Sequence, residues 1–166
     1  MREQWVEIDE FPGYAVSDRG RVMNTYTDHI KIPTQNQQGI PNVCLMQDRT
    51  QCRRSVALLV ANAFLPPPAR AAFDTPINMN GDRTDNHVDN LEWRPRWFAI
   101  RYHQQFRKPP AFGFTGPIEL VQTGEVFEDI RDAAVKYGLL EKEIVLSAHT
   151  NTPVFPSWLE FQLPPQ

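Results

Sequence analysis

The chain has 166 residues, of which 41% are hydrophobic and 15 are proline, and its 17 basic and 20 acidic residues give a formal charge of −3. The low apolar share and the many prolines predict short elements, long connections and a modest core. The charge excludes a surface built throughout for gripping phosphate. No apolar run reaches membrane length, and the first residues do not read as a secretory leader.

Charge is segregated along the chain. Residues 94–110 hold Arg94, Arg96, Arg101, Arg107 and Lys108 with no acid, whereas residues 117–166 hold three basic and eight acidic residues. Cys44 and Cys52 lack zinc-motif spacing and read as reduced thiols.

In chain order, Trp5, Val6 and Ile8 are strand-like, and Pro12-Gly13 is a turn pair. Residues 14–16 form a second short strand, and Asp18-Arg19-Gly20 turns into a third at residues 21–23. Residues 41–46 are apolar and β-prone; a polar turn at 47–50 and residues 52–55 complete a hairpin leading into a helix over 55–64. In that helix Ser55 is the expected N-cap, and Val56, Leu59, Val60 and Ala63 share the core face. Pro66-Pro67-Pro68 forbids its continuation. Strand residues 77–79 and the turn Asn80-Gly81-Asp82 follow, then a short helix within residues 85–92 with Asp85 as its cap. Residues 94–108 interleave Arg with Trp97, Phe98, Tyr102 and Phe106. The last segment predicts a hairpin about Thr123-Gly124, a helix ended by Gly138 and a second helix over 141–148.

Residues 76–93 read PINMNGDRTDNHVDNLEW. In Gly81, Thr84, Asn86 and the run Val88-Asp89-Asn90-Leu91-Glu92-Trp93, this segment resembles the core of the HNH endonucleases of phage and intron homing enzymes. The opening WVEIDEFPGYAVSDRGRV resembles their NUMOD-type N-terminal module. Thr123-Gly124-Glu125-Val126-Phe127 with Ile130, Ala133-Ala134 and Gly138 resembles their NUMOD-type C-terminal DNA-binding unit. The resemblance implies an α+β, modular fold: an N-terminal β module over 1–50, an HNH-like ββα (His-Me finger) core over 51–93, a basic aromatic linker over 94–116, and a hairpin plus helix-turn-helix over 117–166. The modules are expected to be strung out rather than packed as one globule.

The resemblance also implies a chemistry: one divalent ion on the scissile phosphate and a His that activates water. The base position is Asn78, whose amide cannot take a proton. The metal-ligand positions are Ile77 and Asn90, and a second family His position is Ala57. An alkyl group binds nothing, and one neutral amide oxygen is a poor Mg²⁺ ligand. The leading expectation is therefore a catalytically degenerate, phage-encoded HNH relative, a pseudoenzyme needing no cofactor. It is expected to bind DNA or a protein of a phage or host nucleic-acid machine, with no membrane and no small-molecule substrate. The expected location is the host cytoplasm or the virion. One alternative is a nicking endonuclease with a site relocated to His87 and nearby acids, requiring Mg²⁺. Another is a DNA-binding regulator without catalysis. The expected DNA contacts are Arg94, Arg96, Arg101, Arg107 and Lys108, with Arg53 and Arg54 as a smaller cluster. Glu141 and Glu143, at the start of the last helix, are expected to repel phosphate and to favour a protein partner there. His103 is expected at the surface.

Overall fold

The structure, a computed structural model, describes residues 2–107, 114 and 116–165. It is mixed α+β and divides into two compact units, Met1–Arg96 and Trp97–Gln166. No helix among the described residues is long and apolar enough to cross a membrane.

The first unit opens with an antiparallel sheet of β1 (Trp5–Glu7), β2 (Tyr14–Ser17), β3 (Val22–Asn24) and β4 (His29–Ile30). β2 is buried along its whole length because it is sandwiched in the sheet and faces the core. A second antiparallel sheet holds β5 (Thr34–Gln35), β6 (Pro41–Gln47) and β7 (Thr50–Ser55). The β6–β7 hairpin closes through Asp48 and Arg49, both at positive φ, the conformation that a two-residue turn needs to match strand twist. Its register sets Cys44 opposite Arg53 and Cys52 opposite Leu45. Side chains alternate faces along a strand, so the two thiols point to opposite faces, and both are free.

α1 (Val56–Phe64) follows at once. Ser55 occupies the N-cap position, but its side chain makes no capping hydrogen bond, so its helix-starting role is conformational. β8 (Thr75–Asn78) and β9 (Leu91–Arg94) then pair, Asn78 opposite Leu91. The helix expected within 85–92 is only a 3₁₀ turn, Val88–Asn90, and it is capped by His87 rather than Asp85. The helix that completes the strand-strand-helix order is α2 (Arg96–Gln105), in the segment expected as a basic linker.

Phe11, Tyr14, Val16 and Val22 of the first sheet, Val43 and Leu45 of β6, Val56, Leu59 and Val60 of α1, and Leu91 of β9 form one buried cluster. Each such side chain contributes roughly 1.5–3 kcal/mol on burial. The N-terminal β module and the HNH-like core are thus one globule, not two beads on a string. The reason is that neither small sheet has enough apolar surface to form a core alone.

The second unit contains α2, the strands β10 (Ile118–Leu120) and β11 (Glu125–Phe127), α3 (Ile130–Tyr137), α4 (Glu141–Thr150) and β12 (Phe161–Gln162). The hairpin forms as its Thr-Gly turn predicts, and β12 adds to its other edge to give the order β11-β10-β12. Gly138 ends α3 in the left-handed conformation (φ 60°), where a Cβ would be strained, and so makes the tight turn into α4. Ile118, Leu120, Ile130, Ala133, Ala134, Leu139, Ile144 and Phe161 are the heart of this unit's core.

Candidate functional site

The loop between β8 and β9 lies where the sequence resembles a nuclease core, and amide groups hold it together. Ile77 points into the core with no exposure and Asn78 is 3% exposed. The Asn78 side-chain amide donates to the Asp85 carbonyl (2.8 Å) and to Asn86 Oδ1 (3.1 Å). From the 3₁₀ turn that precedes β9, Asn90 Nδ2 donates to the same Asp85 carbonyl (2.8 Å) and to Asn80 Oδ1 (2.9 Å), while its Oδ1 accepts from Asn80 N (2.9 Å). Asn80 Nδ2 completes the set on Asp85 Oδ2 (2.7 Å).

Apart from the half-buried Asp85 carboxylate these groups are neutral, and the Asn78, Asn80 and Asn90 side-chain amides all donate to acceptors. Such a lattice costs little to bury because amides carry no charge and these donors are hydrogen-bonded. It also rigidifies the turn from residue 78 to residue 90.

The acids around the loop serve the same purpose. Asp82 Oδ1 accepts from the Thr84 hydroxyl (2.7 Å) and the Thr84 N–H (2.8 Å). These bonds, the hydroxyl first, hold its carboxyl below the usual range. His87 Nδ1 accepts from Asp89 N (3.3 Å) and lies 3.5 Å from Asp89 Oδ2. The two contacts are alternatives, because Nδ1 accepts only when unprotonated and pairs with the carboxylate only when protonated. The ring therefore caps its own turn. Among the described residues no three His, Cys, Asp or Glu side chains stand together as a metal-holding group. Ile77, with its alkyl chain, and Asn90, with its oxygen already bonded to Asn80, do not fit a divalent ion. Ala57, at the other family His position, is buried on α1.

The N-terminal sheet is locked onto this loop. Val88 N donates to the Asp18 carbonyl (2.8 Å). Gly20, at φ 80°, comes so close that a Cβ there would stand 2.9 Å from Asn86 Cβ. Only glycine allows both the turn and the approach.

Three comparisons bear on this geometry. Residues 3–46 match the NUMOD4 motif. Over 94 residues the chain is 34% identical to the uncharacterized HNH endonuclease L247 of Acanthamoeba polyphaga mimivirus, an alignment covering 55% of this chain and 23% of that protein. The chain thus spans about a quarter of the length of that curated relative. Its fold is similar to that in a structure of DNA binding and cleavage by the HNH homing endonuclease I-HmuI, with a TM-score of 0.55 at 14% identity, over 98% of this chain and 99% of that one. The chain therefore shares the fold of an HNH homing endonuclease and carries a NUMOD4 motif.

Against that HNH-like frame the expected DNA-contact residues fall into distinct classes. Arg94 is 8% exposed, and its guanidinium donates to the Trp93 carbonyl (2.8 Å) and lies 3.4 Å from Glu92. Arg54 is paired with Glu10 and lies over the Phe11 ring, 4.8 Å from its centroid. Arg53 is exposed on β7. Lys108 lies outside the described residues.

Arg96 and Arg101 are exposed on α2, and Arg107 is exposed just beyond it. The helix is amphipathic at the expected spacing: Phe98, Ala99, Tyr102 and His103 are buried, while Arg96, Trp97, Ile100, Arg101 and Gln104 share the opposite, acid-free face. The guanidinium of Arg101 lies 5.3 Å from the Trp97 ring centroid, and Phe155 stacks on the same indole at 5.7 Å. His103, expected at the surface, is buried because it falls on the same side of the helix as Tyr102.

The last helix differs from expectation in its electrostatics. Glu141 is 6% exposed and its Oε1 is 2.7 Å from Arg131 Nε. Arg131 also donates to the Gln105 carbonyl (3.2 Å), and Gln105 Oε1 accepts from Glu141 N (3.0 Å). The first acid of α4 is therefore neutralised and turned inward. The exposed residues Lys142, Leu146, His149 and Thr150 recur at helical spacing and include no acid. Sequence reading missed this face. Its spacing was visible, but the partner that removes Glu141 from it is ten residues away.

Proposed function

We propose that the chain is a DNA-binding protein on an HNH homing endonuclease-like frame that no longer cuts. The observation that carries this reading is Asn78: the side chain at the base position is buried and both of its amide hydrogens are spent inside the loop. A residue so placed can neither take a proton from water nor swing toward a phosphodiester without dismantling the loop.

Binding is supported by two helix faces in the second unit, the one on α2 free of acid and the one on α4 bordered by the half-buried Glu143. On α2, Arg96 and Arg101 offer phosphate contacts, and the Trp97 indole under Arg101 stiffens the guanidinium. On α4, Lys142 and His149 offer polar contacts and Leu146 an apolar one, the mixture with which a helix-turn-helix reads base edges. The DNA-binding and cleaving protein whose fold this chain shares adds to the reading.

The decisive experiment pairs two assays. Supercoiled plasmid with Mg²⁺ or Mn²⁺ is expected to stay intact at high protein concentration; metal-dependent nicking abolished by His87→Ala would establish the relocated site instead. DNA affinity is expected to fall steeply with salt, and Arg101→Ala to reduce the log–log slope by about one.

A second reading, a protein partner within phage or host nucleic-acid machinery, is supported by the acidic excess of residues 117–166 and by exposed apolar groups there, Trp158 at 61% and Val126 at 49%. Negligible DNA affinity at low salt, with capture of one defined protein from the native host, would select it.

A further inference from the structure

We propose that Asn80 is a deamidation site whose reactivity is governed by the amide lattice, and that its conversion to a carboxylate unlocks the loop from the N-terminal sheet. This goes beyond the DNA-binding reading and does not depend on it.

The chemistry begins with the dipeptide Asn80-Gly81. Gly81 has no side chain to keep its backbone nitrogen from the Asn80 side-chain carbon. That nitrogen, on losing its proton, attacks Cγ. The new N–C bond closes a five-membered imide, the C–Nδ2 bond breaks, and ammonia leaves with the proton it needs. Water then opens the imide to Asp or isoAsp. Water is the sole co-reactant, and nothing is oxidised or reduced.

Asn80 is exposed, so water and base reach it. The folded loop nevertheless holds every reacting atom away from this path. The nucleophile, Gly81 N, donates to the Asn78 carbonyl (2.9 Å). The electrophile is pinned, since Asn80 Oδ1 accepts from Asp82 N (2.9 Å) and Asn90 Nδ2 (2.9 Å). The leaving nitrogen is held on Asp85 Oδ2 (2.7 Å). Reaction therefore requires local opening, and its rate reports that opening.

The product cannot return to the same arrangement. An oxygen would replace Nδ2 and face Asp85 Oδ2, two acceptors with no proton between them, and the like charges repel. Asp85 also supplies the carbonyl that Asn78 and Asn90 both use, so displacing it loosens the lattice at three residues. The turn at Val88, which donates to Asp18, is the next contact in line. Deamidation is thus a one-way release of the Asp18–Gly20 turn from the loop.

The test incubates the full chain at mildly alkaline pH, folded and in urea, and follows the amide-to-acid mass change in the tryptic peptide spanning residues 71–83. Fragment ions separate Asn80 from Asn78. Slow conversion at Asn80 in the folded chain and fast conversion in urea are expected. Asn90→Ala and, as a second variant on a half-buried partner, Asp85→Ala are expected to accelerate the folded rate on the order of tenfold or more, the opening gained when the lattice bonds of that side chain are lost. Equal rates in the folded chain, both variants and urea would overturn the gating, and conversion at another Asn would overturn the site. The deamidated form, separated by its extra negative charge, is expected to exchange the Val88 amide hydrogen on the order of tenfold faster than the intact chain. Unchanged exchange there would overturn the release.

Discussion

The β8–β9 loop and the α3–α4 turn solve one problem, holding polar side chains inside a small protein, in opposite ways. The loop uses neutral amides: Asn78 and Asn90 both donate to the Asp85 carbonyl, and Asn86 accepts from Asn78. The turn uses a charge pair, Arg131 with the buried Glu141. Amides satisfied by one another make a closed, inert structure. A buried ion pair costs desolvation, but here it also removes a carboxylate from a helix face that is left with Lys142 and His149. The contrast separates a region fixed by neutral hydrogen bonds from one fixed by a charge pair.

The largest expected effect comes from putting charge back into the loop. Ile77→Asp restores the acid at the family's metal position, but Ile77 is fully buried in the core beneath the lattice. An uncompensated carboxylate there is expected to cost about 3–5 kcal/mol, read as a drop in the denaturant midpoint. A stable Ile77→Asp, Asn78→His double variant with metal-dependent nicking would show instead that the loop had kept catalytic geometry.

Next in size is the ion pair. Arg131→Met leaves Glu141 buried without its partner. Arg131 is itself 30% exposed, so water relieves part of the penalty, and a loss of about 2 kcal/mol is expected. The double change Arg131→Met, Glu141→Leu is expected to recover most of it, since the charge and its desolvation disappear together. A double variant as unstable as the single one would mean that the wider network through Gln105, not the charge, holds the turn.

A smaller effect is expected from Gly20→Ala, roughly 1–2 kcal/mol, from its positive φ and the contact with Asn86. The side chain that must give way is Asn86, an acceptor of Asn78, so the same substitution is expected to speed hydrogen exchange at Val88. An unchanged melting temperature would show the sheet and the loop to be independent.

The local parts of this structure were legible because the signals are local. Pro12-Gly13, Thr123-Gly124 and Gly138 mark turns by their own backbone preferences, and the apolar spacing of 56–64 marks α1. The residue types at the two aligned positions, an alkyl group at Ile77 and an amide at Asn78, were equally readable. Other features required partners distant in sequence. Nothing near residue 141 announces that Arg131 will bury it. Nothing in residues 94–108 separates a basic linker from a helix until Phe98, Ala99, Tyr102 and His103 are seen on one face. His87 in place of Asp85 as the cap is a shift of two residues, set by the loop's third dimension rather than by capping preference. The union of the N-terminal sheet with α1 was missed for a further reason: a core formed from two modules is invisible when each module is read alone.

The smallest effect is a pH dependence in the N-terminal sheet. Arg21 hydrogen-bonds Glu3 through Nε (2.9 Å) and Nη2, and chiefly through this contact holds the Glu3 pKa down to about 2. A carboxyl whose pKa is lower folded than unfolded stabilises the fold above its unfolded value of about 4.5, and that stabilisation is lost as pH falls toward 2. Arg21 is half exposed, so the pair is screened and its worth is about 0.2–1 kcal/mol. Glu3→Gln is expected to lower stability slightly at neutral pH and to flatten the stability curve between those two pH values, with no change below them. Added salt is expected to shrink the difference between the variant and the parent chain. If the two chains instead diverge further as pH falls, the pair is not the source of the acid sensitivity, and the loop carboxyl Asp82, also held low by its partners, becomes the group to change next.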